Sequence, residues 1–439
     1  MKKIIVLSMS LMALLFGFVS CSNDDNDDAT ETKDSKTSVS FDNIEALDIS
    51  DAKALYIGTG TTGSNRSARD AASESIQKLL KITDSDKTEE VAYLDKDGKP
   101  IDTMIVPKKI CKAGDKFMYV ELEAGYYSKG VYIGADWAFY LVNNETGAVF
   151  DLKNIGVPDD STYNFKNDSM FITDKVNGLY YLSGERVIRL SNTDTDYLTS
   201  SVYSPSSDSP EYFTVDKDGF MLYTGRGDSG FYTRVKKPTG SLVPMTYTYA
   251  FWTGLDGYMY YCEYDSSDEV SIKKIDTTNY EVNITDYATN LLLDFYLEYP
   301  YDAYKLTLKN KMYFIRGTSI LEVHNESNTP RVVTLTEINA ASVSHVVATE
   351  NYYYLAGTDT AGKGFLVKVD PTNDTCTNLL SEDYVMYTFT ASEEDGIVFN
   401  AMRMSDGKKI IGKVGINGGA VTIIDEESDA QITYLERIN

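Results

Sequence analysis

The chain has 439 residues and a formal net charge of −25, from 41 basic and 66 acidic side chains. A surface this acidic repels phosphate backbones, so nucleic acid is not expected as a partner. The hydrophobic fraction of 42% is enough for a large core, and together with only 10 prolines it excludes a disordered or collagen-like chain.

The first 20 residues have the organisation of a bacterial export signal. Lys2 and Lys3 precede an apolar stretch, 4–19, that is about as long as a signal h-region and short for a membrane span. The stretch ends in FVSC, which resembles the lipobox of bacterial lipoproteins. By that resemblance Cys21 becomes the mature N-terminus and carries acyl chains that anchor the protein in a membrane. An ordinary signal peptide followed by a coincidental cysteine is the alternative.

The residues after Cys21 predict a flexible tether. Residues 22–37, SNDDNDDATETKDSKT, contain no large apolar side chain and cannot form a core. Ser22 and the aspartates that follow it resemble the acidic signal of Bacteroidetes lipoproteins exported to the cell surface. That resemblance implies a lipid-anchored outer-membrane protein exposed at the cell surface, whereas a merely soluble linker is the alternative. The expected organisation is a signal peptide (1–20), a lipidated cysteine with an acidic tether (21–37) and a folded domain (38–439).

The other cysteines and the histidines indicate no metal centre. Cys111, Cys262 and Cys376 are far apart, no CxxC pair occurs, and His324 and His345 are the only histidines. A zinc site of the usual spacing is therefore absent, and we expect neither a metal nor a cofactor. One disulfide is an open alternative, but we expect the three cysteines to be small buried side chains. Both histidines lie in strand-like segments and are expected to be structural.

A short aromatic segment recurs eight times along the chain. In several copies an extended segment and an Asp-Gly or Asn-Gly turn precede it, and these dipeptides supply the positive φ angles of short hairpins. Two further strands separated by a polar turn follow it, as in VSIKKIDTTNYEVNIT (270–285). The copies are LYIGTG at 55, KFMYVEL at 116, GLYYLSG at 178, GFMLYTG at 219, GYMYYCEY at 257, KMYFIRG at 311, NYYYLAG at 351 and GIVFNAM at 396.

This repeat predicts an all-β chain of four-stranded antiparallel units with strands A to D. Four short strands in about 40–50 residues are the size of a β-propeller blade, so the expected fold is a β-propeller with eight blades. The segment 61–78 in the first unit is expected to be partly helical. The extra strand at 430–438 would complete the first blade and close the ring. Seven blades and a two-domain β-sandwich are the alternatives.

The long connections predict where a ligand would bind. In a four-stranded meander the B–C loops and D–A crossovers lie on one rim, opposite the A–B turns, and loops on a rigid scaffold are common binding sites. The B–C loop 123–136 and the crossovers 154–168, 200–210 and 286–302 should gather there. Their tyrosines would stack on sugar rings or aromatic ligands, or would instead cover the blade ends. The residues are Tyr126, Tyr127, Tyr132, Tyr163, Tyr203, Tyr296, Tyr299 and Tyr301, with Asp159, Asp160, Asp208 and Asp302; Trp137 and Trp252 are expected in the core.

Five short motifs resemble the O-glycosylation sequon of Bacteroidetes, in which Asp precedes Ser or Thr and then a small or aliphatic residue or Thr. Composition alone would produce about two or three such motifs, so the excess is small. They agree with an exported protein. The acceptor residues are Thr103, Ser161, Ser169, Thr277 and Thr360.

Two functions are consistent with these patterns. The preferred one is a non-enzymatic surface lipoprotein that binds a ligand or a protein, as an accessory to an outer-membrane transporter for glycans or iron–siderophores, a role that Bacteroidetes surface lipoproteins often have. The alternative is a propeller-type carbohydrate-active enzyme with paired carboxylates. The 66 acidic residues single out no pair, and we assign no catalytic residue. Carboxylates facing one another in a central channel would favour the enzyme.

Overall fold

The described part of the chain is almost entirely β-strand. Its two helical segments are single 3₁₀ turns, Phe41–Asn43 and Thr278–Tyr280. No helix among the described residues is long and apolar enough to cross a membrane. The computed structural model describes residues 41–58, 77–101, 105–113, 116–128, 131–152, 171–173, 178–183, 186–193, 196–203, 209–227, 230–246, 248, 250–264, 270–291, 303–317, 319–324, 327–333, 335, 339–380, 383–427 and 434–438.

The described residues form 34 strands, all within the unit that comprises residues 38–439. The first seventeen are β1 (Ala46–Leu47), β2 (Ala52–Gly58), β3 (Lys78–Thr83), β4 (Thr88–Glu90), β5 (Tyr93–Leu94), β6 (Ile105–Ala113), β7 (Phe117–Ser128), β8 (Val131–Asn143), β9 (Val149–Asp151), β10 (Phe171–Thr173), β11 (Gly178–Ser183), β12 (Arg186–Thr193), β13 (Asp196–Tyr203), β14 (Ser209–Val215), β15 (Met221–Gly227), β16 (Gly230–Lys236) and β17 (Leu242–Met245). The others are β18 (Phe251–Thr253), β19 (Met259–Tyr264), β20 (Val270–Asp276), β21 (Asn283–Leu291), β22 (Tyr304–Leu308), β23 (Lys311–Arg316), β24 (Ser319–His324), β25 (Ser327–Val333), β26 (Ala340–Ala348), β27 (Tyr353–Asp359), β28 (Gly364–Asp370), β29 (Thr375–Asn378), β30 (Tyr384–Ser392), β31 (Gly396–Arg403), β32 (Lys409–Val414), β33 (Thr422–Glu427) and β34 (Tyr434–Arg437).

Antiparallel four-stranded meanders account for nearly all of these strands. Six sheets have four strands each, and β1 pairs with β5 in a small separate sheet. A further sheet of eight strands consists of two meanders joined at one residue pair, Gly364 opposite Tyr384. We number the meanders as repeats 1 to 8: β34-β2-β3-β4, β6 to β9, β10 to β13, β14 to β17, β18 to β21, β22 to β25, β26 to β29 and β30 to β33.

Repeat 1 combines strands from both ends of the described chain. The strand β34 pairs antiparallel with β2, with Arg437 opposite Ala54 and Tyr434 opposite Ile57. The backbone N–H of Ile438 continues this pairing by donating to the carbonyl oxygen of Lys53 at 3.0 Å. The 430–438 segment therefore supplies the first strand of repeat 1.

The recurring aromatic segments form the second strand of every repeat, as the sequence predicts. In the second strands whose side chains the structure describes, buried residues point to both faces, because a sheet packed between two neighbours has no solvent face. Each of the strands β2, β7, β15, β19, β23 and β27 contains a tyrosine that is at most 1% exposed. The predicted core role of these tyrosines is confirmed. The buried tyrosines are Tyr56, Tyr119, Tyr223, Tyr260, Tyr313 and Tyr353.

Several tight turns share one arrangement of aspartate and glycine. In the turn after β27, the Asp359 carboxylate accepts hydrogen bonds from the backbone N–H groups of Ala361 and Lys363, both at 2.8 Å. Gly362 has a φ of +78°, in the left-handed region that glycine adopts without a steric penalty. The turns that begin at Asp95 and Asp216 repeat the pattern. In each of these turns an aspartate that accepts backbone N–H bonds precedes by three residues a glycine of positive φ, which is a local electrostatic and steric reason for the tight turn.

The predicted B–C loop at 123–136 is wrong. The strands β7 and β8 continue through this segment as a long hairpin, with Tyr126 opposite Ile133 and Tyr127 opposite Tyr132. The glycines of EAGYYSKGVYIGAD suggested a loop, but its aromatic and β-branched residues favour a pleated strand.

The two tryptophans differ in environment. Trp252 is buried, as predicted, and its ring stacks on that of Tyr260 with centroids 5.9 Å apart. The prediction that Trp137 lies in the core is wrong, because its side chain is 39% exposed and the Lys108 ammonium lies 5.7 Å from its ring centroid. Trp137 lies in the part of β8 that extends beyond β9, where β7 is its only described strand partner.

Other predictions about the scaffold are confirmed or lie outside the described residues. Cys111, Cys262 and Cys376 are buried, as expected, and they form no disulfide with one another. His324 ends β24 and His345 lies in β26, so both are on strands. The predicted helical segment at 61–78 lies outside the described residues except for its last two positions.

A Gly362→Ala variant tests the turn arrangement. Nothing lies within 4 Å of a Cβ added at Gly362, so the cost comes from its positive φ alone. We expect the free energy of unfolding to fall by about 1 kcal/mol, as measured by urea denaturation. Gly415→Ala is the control, because Gly415 has an ordinary φ and its nearest neighbour is the Gly418 carbonyl oxygen at 3.4 Å. Equal effects of the two substitutions would contradict this explanation.

Candidate functional site

The first strands of five repeats surround a cavity of about 870 Å³. Its walls are formed by residues of β6, β22, β26, β30 and β34, and by the turns that follow β26 and β30. This volume lies within the range of about 300–1,000 Å³ that is usual for small-molecule sites. We call it the central cavity and regard it as the candidate binding site.

The strands that border the central cavity are less buried than the second strands behind them. In β27 five consecutive residues are buried, whereas in β26 no described residue is fully buried. On β30 the residues Thr388, Thr390 and Ser392 follow the two-residue period of a strand, so their hydroxyl groups share one face. All three residues line the cavity. The wall therefore presents a row of hydroxyl groups that donate and accept hydrogen bonds.

Tyr304 and His345 provide the ring side chains of the wall, together with the buried Phe389. Tyr304 is 41% exposed, and its hydroxyl donates to the carbonyl oxygen of Ser344 at 2.8 Å, which fixes the ring across the gap between β22 and β26. Burial raises the pKa of the Tyr304 phenol and lowers the pKa of the His345 imidazole. Both side chains are therefore favoured in their neutral forms.

Glu393 holds the two turns at one end of the cavity together. Its Oε1 accepts hydrogen bonds from the Thr349 hydroxyl at 2.6 Å and from the Asn351 backbone N–H at 2.8 Å, and its Oε2 accepts from the Asn351 side-chain amide at 2.9 Å. Burial acts to raise the pKa of this carboxyl, but the hydrogen bonds from Thr349 and Asn351 outweigh it and hold the pKa below its usual value. Glu393 is thus an ionised brace between repeats 7 and 8.

Two further glutamates line the cavity beside this brace. Glu350 and Glu394 are exposed, and neither carboxylate has a hydrogen bond or an ion pair within the described residues. Uncommitted carboxylates can accept hydrogen bonds from the hydroxyl groups of a ligand. The turn end of the cavity is therefore polar and acidic.

The sequence predicted a binding rim on other segments of the chain. Tyr126, Tyr127 and Tyr132 are on the hairpin of β7 and β8, and Tyr203 ends β13. Tyr163, Tyr296, Tyr299 and Tyr301 and the four aspartates of that rim lie outside the described residues.

A sequence signal for the cavity was available but missed. Where β26 and β30 end, the chain reads Ala348-Thr349-Glu350 and Ala391-Ser392-Glu393, a repeated small–hydroxyl–acidic pattern.

One candidate glycosylation residue is incompatible with the folded chain. Thr277 is 2% exposed, and its hydroxyl donates to the buried Asp216 carboxylate at 2.6 Å. A sugar could not be attached there without opening the structure, so this prediction is corrected. Thr360 lies in an exposed turn after β27 and stays a prediction. Thr103, Ser161 and Ser169 lie outside the described residues.

Comparison with known proteins assigns no family. No family profile matches the sequence, and no curated protein matches it. Among solved structures, a prolyl endopeptidase is 10% identical and covers 75% of this chain and 50% of its own, with a TM-score of 0.45. A puromycin-hydrolyzing peptidase of Mycobacterium tuberculosis is 11% identical (73% and 53% covered, TM-score 0.42). Virginiamycin B lyase of Staphylococcus aureus is 12% identical (71% and 94% covered, TM-score 0.38). These similarities say nothing about the activity of this chain.

A Glu393→Ala variant tests the brace between repeats 7 and 8. We expect the free energy of unfolding at pH 7 to fall by about 2 kcal/mol, because three hydrogen bonds to a charged acceptor are lost. The pKa of Glu393 is lower in the folded chain than its usual 4.5, so this stabilisation is complete above that value and disappears as the pH falls through the folded pKa. Denaturation between pH 3 and pH 7 measures both effects.

The adjacent Glu394→Ala substitution is the control for this experiment. The Glu394 side chain makes no hydrogen bond among the described residues, so we expect a change within about 0.5 kcal/mol at every pH. A Glu393 effect that is as small as this one, or that does not decrease at low pH, would contradict the assignment.

Proposed function

We propose that this protein is a non-enzymatic, lipid-anchored binding protein of the outer-membrane surface, and that its central cavity binds a neutral saccharide. The observation that supports the proposal is the mixture of groups in the cavity wall. Hydroxyl groups on β30, two free carboxylates and the partly exposed ring of Tyr304 face one space. Sugars need polar partners for their hydroxyl groups and an apolar surface for their C–H faces.

The scaffold of this proposal is an eight-bladed β-propeller with the cavity at its centre. The first strand of each repeat, from repeat 7 through repeats 8 and 1 to repeat 4, contacts the first strand of the next repeat. The order of contacting strands is β26, β30, β34, β6, β10, β14 and β18, which supports a ring. The pairing of β34 with β2 would close it. Propellers manage exposed strand edges by this radial repetition.

A neutral sugar agrees better with the charge of the protein than an anionic iron–siderophore does. The net charge is −25, and Glu350, Glu393 and Glu394 line the turn end of the cavity. An anionic iron chelate would be repelled on approach and would leave the Glu350 and Glu394 carboxylates without partners. Uncharged hydroxyl groups would satisfy the same carboxylates. We further propose that the captured sugar passes to an outer-membrane transporter.

Binding without hydrolysis is the function that we favour for the same cavity. A hydrolytic pair needs one carboxyl with a raised pKa to act as the general acid. The pKa of Glu393 is lowered, and both of its oxygens already accept hydrogen bonds from Thr349 and Asn351. Glu393 is therefore suited to holding the cavity wall and not to proton donation.

The lipid anchor is tested by Cys21→Ala in the full chain, expressed in a Bacteroidetes host. We expect loss of fatty-acid labelling and release from the membrane fraction, because no acyl chain can then be attached. Ser35→Ala in the tether is the control and should leave both unchanged. Replacing Asp24, Asp25, Asp27 and Asp28 by Asn should retain labelling but remove protease sensitivity on whole cells. Membrane retention of Cys21→Ala would contradict the anchor.

The ligand class is tested by calorimetry of the full-length protein in detergent with malto-, xylo-, cello- and manno-hexaose and with a ferric tris-catecholate. We expect at least one hexasaccharide to bind and the anionic iron complex not to bind.

The variant Tyr304→Ala tests whether the cavity contributes to this binding. It should weaken the affinity for the hexasaccharide at least tenfold, or by about 1.4 kcal/mol. Tyr387→Ala is the matched control, because Tyr387 is 39% exposed on β30 and does not line the cavity. Absence of any hexasaccharide binding, or equal loss in both variants, would contradict the proposal.

A further inference from the structure

A second cavity of about 450 Å³ adjoins the central cavity. It lies at the turns that follow β18 and β22, and it is lined by residues of both. The residues Ala348, Thr349 and Glu350 line both cavities, so one short stretch of chain is their common wall. The two cavities are therefore adjacent at Glu350.

The second cavity presents uncommitted polar groups. Asn310 is exposed, and its side-chain amide has no hydrogen bond within the described residues. The Glu350 carboxylate on the common wall is likewise without a hydrogen bond or an ion pair in the described part of the chain. An amide offers both a donor and an acceptor, and a carboxylate offers acceptors, which together match the vicinal hydroxyl groups of a sugar.

The same cavity also presents an apolar surface and a fixed backbone. Leu255 is 60% exposed in the turn after β18 and lines the cavity. The turn that carries Asn310 is held in place, because the Tyr287 hydroxyl donates to the Asn310 carbonyl oxygen at 2.9 Å and the Lys309 ammonium donates to the Thr372 hydroxyl at 3.2 Å. An exposed leucine beside polar groups on a rigid turn suits the C–H face of a sugar ring.

We propose that the second cavity is a subsite for the next sugars of the chain bound in the central cavity, so that the protein selects oligosaccharides over disaccharides. This inference rests on the proposed function. Glu350 accepts hydrogen bonds from the sugar that spans the common wall, and Asn310 and Leu255 contact the sugar beyond it.

The experiment compares the di-, tetra- and hexasaccharides of the malto, xylo, cello and manno series by calorimetry on the full-length protein. For a series that binds, we expect the hexasaccharide to bind at least tenfold more tightly than the disaccharide. The variants Asn310→Gly and Leu255→Ser should remove the extra affinity for the hexasaccharide and leave the affinity for the disaccharide unchanged. Glycine suits position 310 because Asn310 has a φ of +62°. Glu350→Ala should weaken binding of both lengths.

Matched controls separate these effects from nonspecific ones. Leu242→Ser replaces a leucine that is 40% exposed on β17, and Glu145→Ala removes an exposed turn glutamate; neither residue lines either cavity. Both should retain the full length dependence. Equal affinities for short and long chains, or an undiminished gain in Asn310→Gly and Leu255→Ser, would overturn the subsite and leave the proposed function intact. Absence of binding by every oligosaccharide would overturn both.

Discussion

The pairing of β34 with β2 is the contact on which the rest of the fold depends. The strand β2 is the second strand of the described chain, and its partner β34 is the last. Without β34, the buried strand β2 would have an unpaired edge in the core, where no water can satisfy its backbone groups. The side-chain amide of Asn144 also holds the residue after β34 in place, because it donates to the Ile438 carbonyl oxygen at 2.9 Å.

Packing between repeats follows from that pairing. Leu435 of β34 belongs to a hydrophobic cluster that joins Tyr56 of repeat 1 to Val398 and Ile411 of repeat 8. Charged groups reinforce similar borders: the Lys217 ammonium of repeat 4 lies 3.9 Å from the ring centroid of Tyr258 in repeat 5. Each repeat alone would expose two apolar faces, so stability depends on neighbours.

Arg331 crosses the border between repeats 6 and 7, because it pairs with a buried glutamate of its own repeat and with an aspartate of repeat 7. Glu322 is fully buried, and Arg331 donates to it at 2.7 Å and to Asp374 of repeat 7 at 2.6 Å. Burial acts to raise the pKa of Glu322, but the hydrogen bond from Arg331, with smaller contributions from other partners, keeps it low. A buried carboxylate needs such partners, and because Arg331 also donates to Asp374, it links the two sheets.

The sequence alone determined the repeating strand, its buried tyrosines and the Asp-Gly turns, because alternation, side-chain volume and positive φ are local properties. It misjudged the 123–136 hairpin, where glycines between aromatic and β-branched residues hid the strand pattern. Only the tertiary structure decided the central cavity. Its wall combines Tyr304, His345, Thr390 and Leu435, which are far apart in the chain and meet because the first strands of several repeats face one space. No local pattern specifies which strand edges will surround a common space, since that depends on how sheets pack face to face.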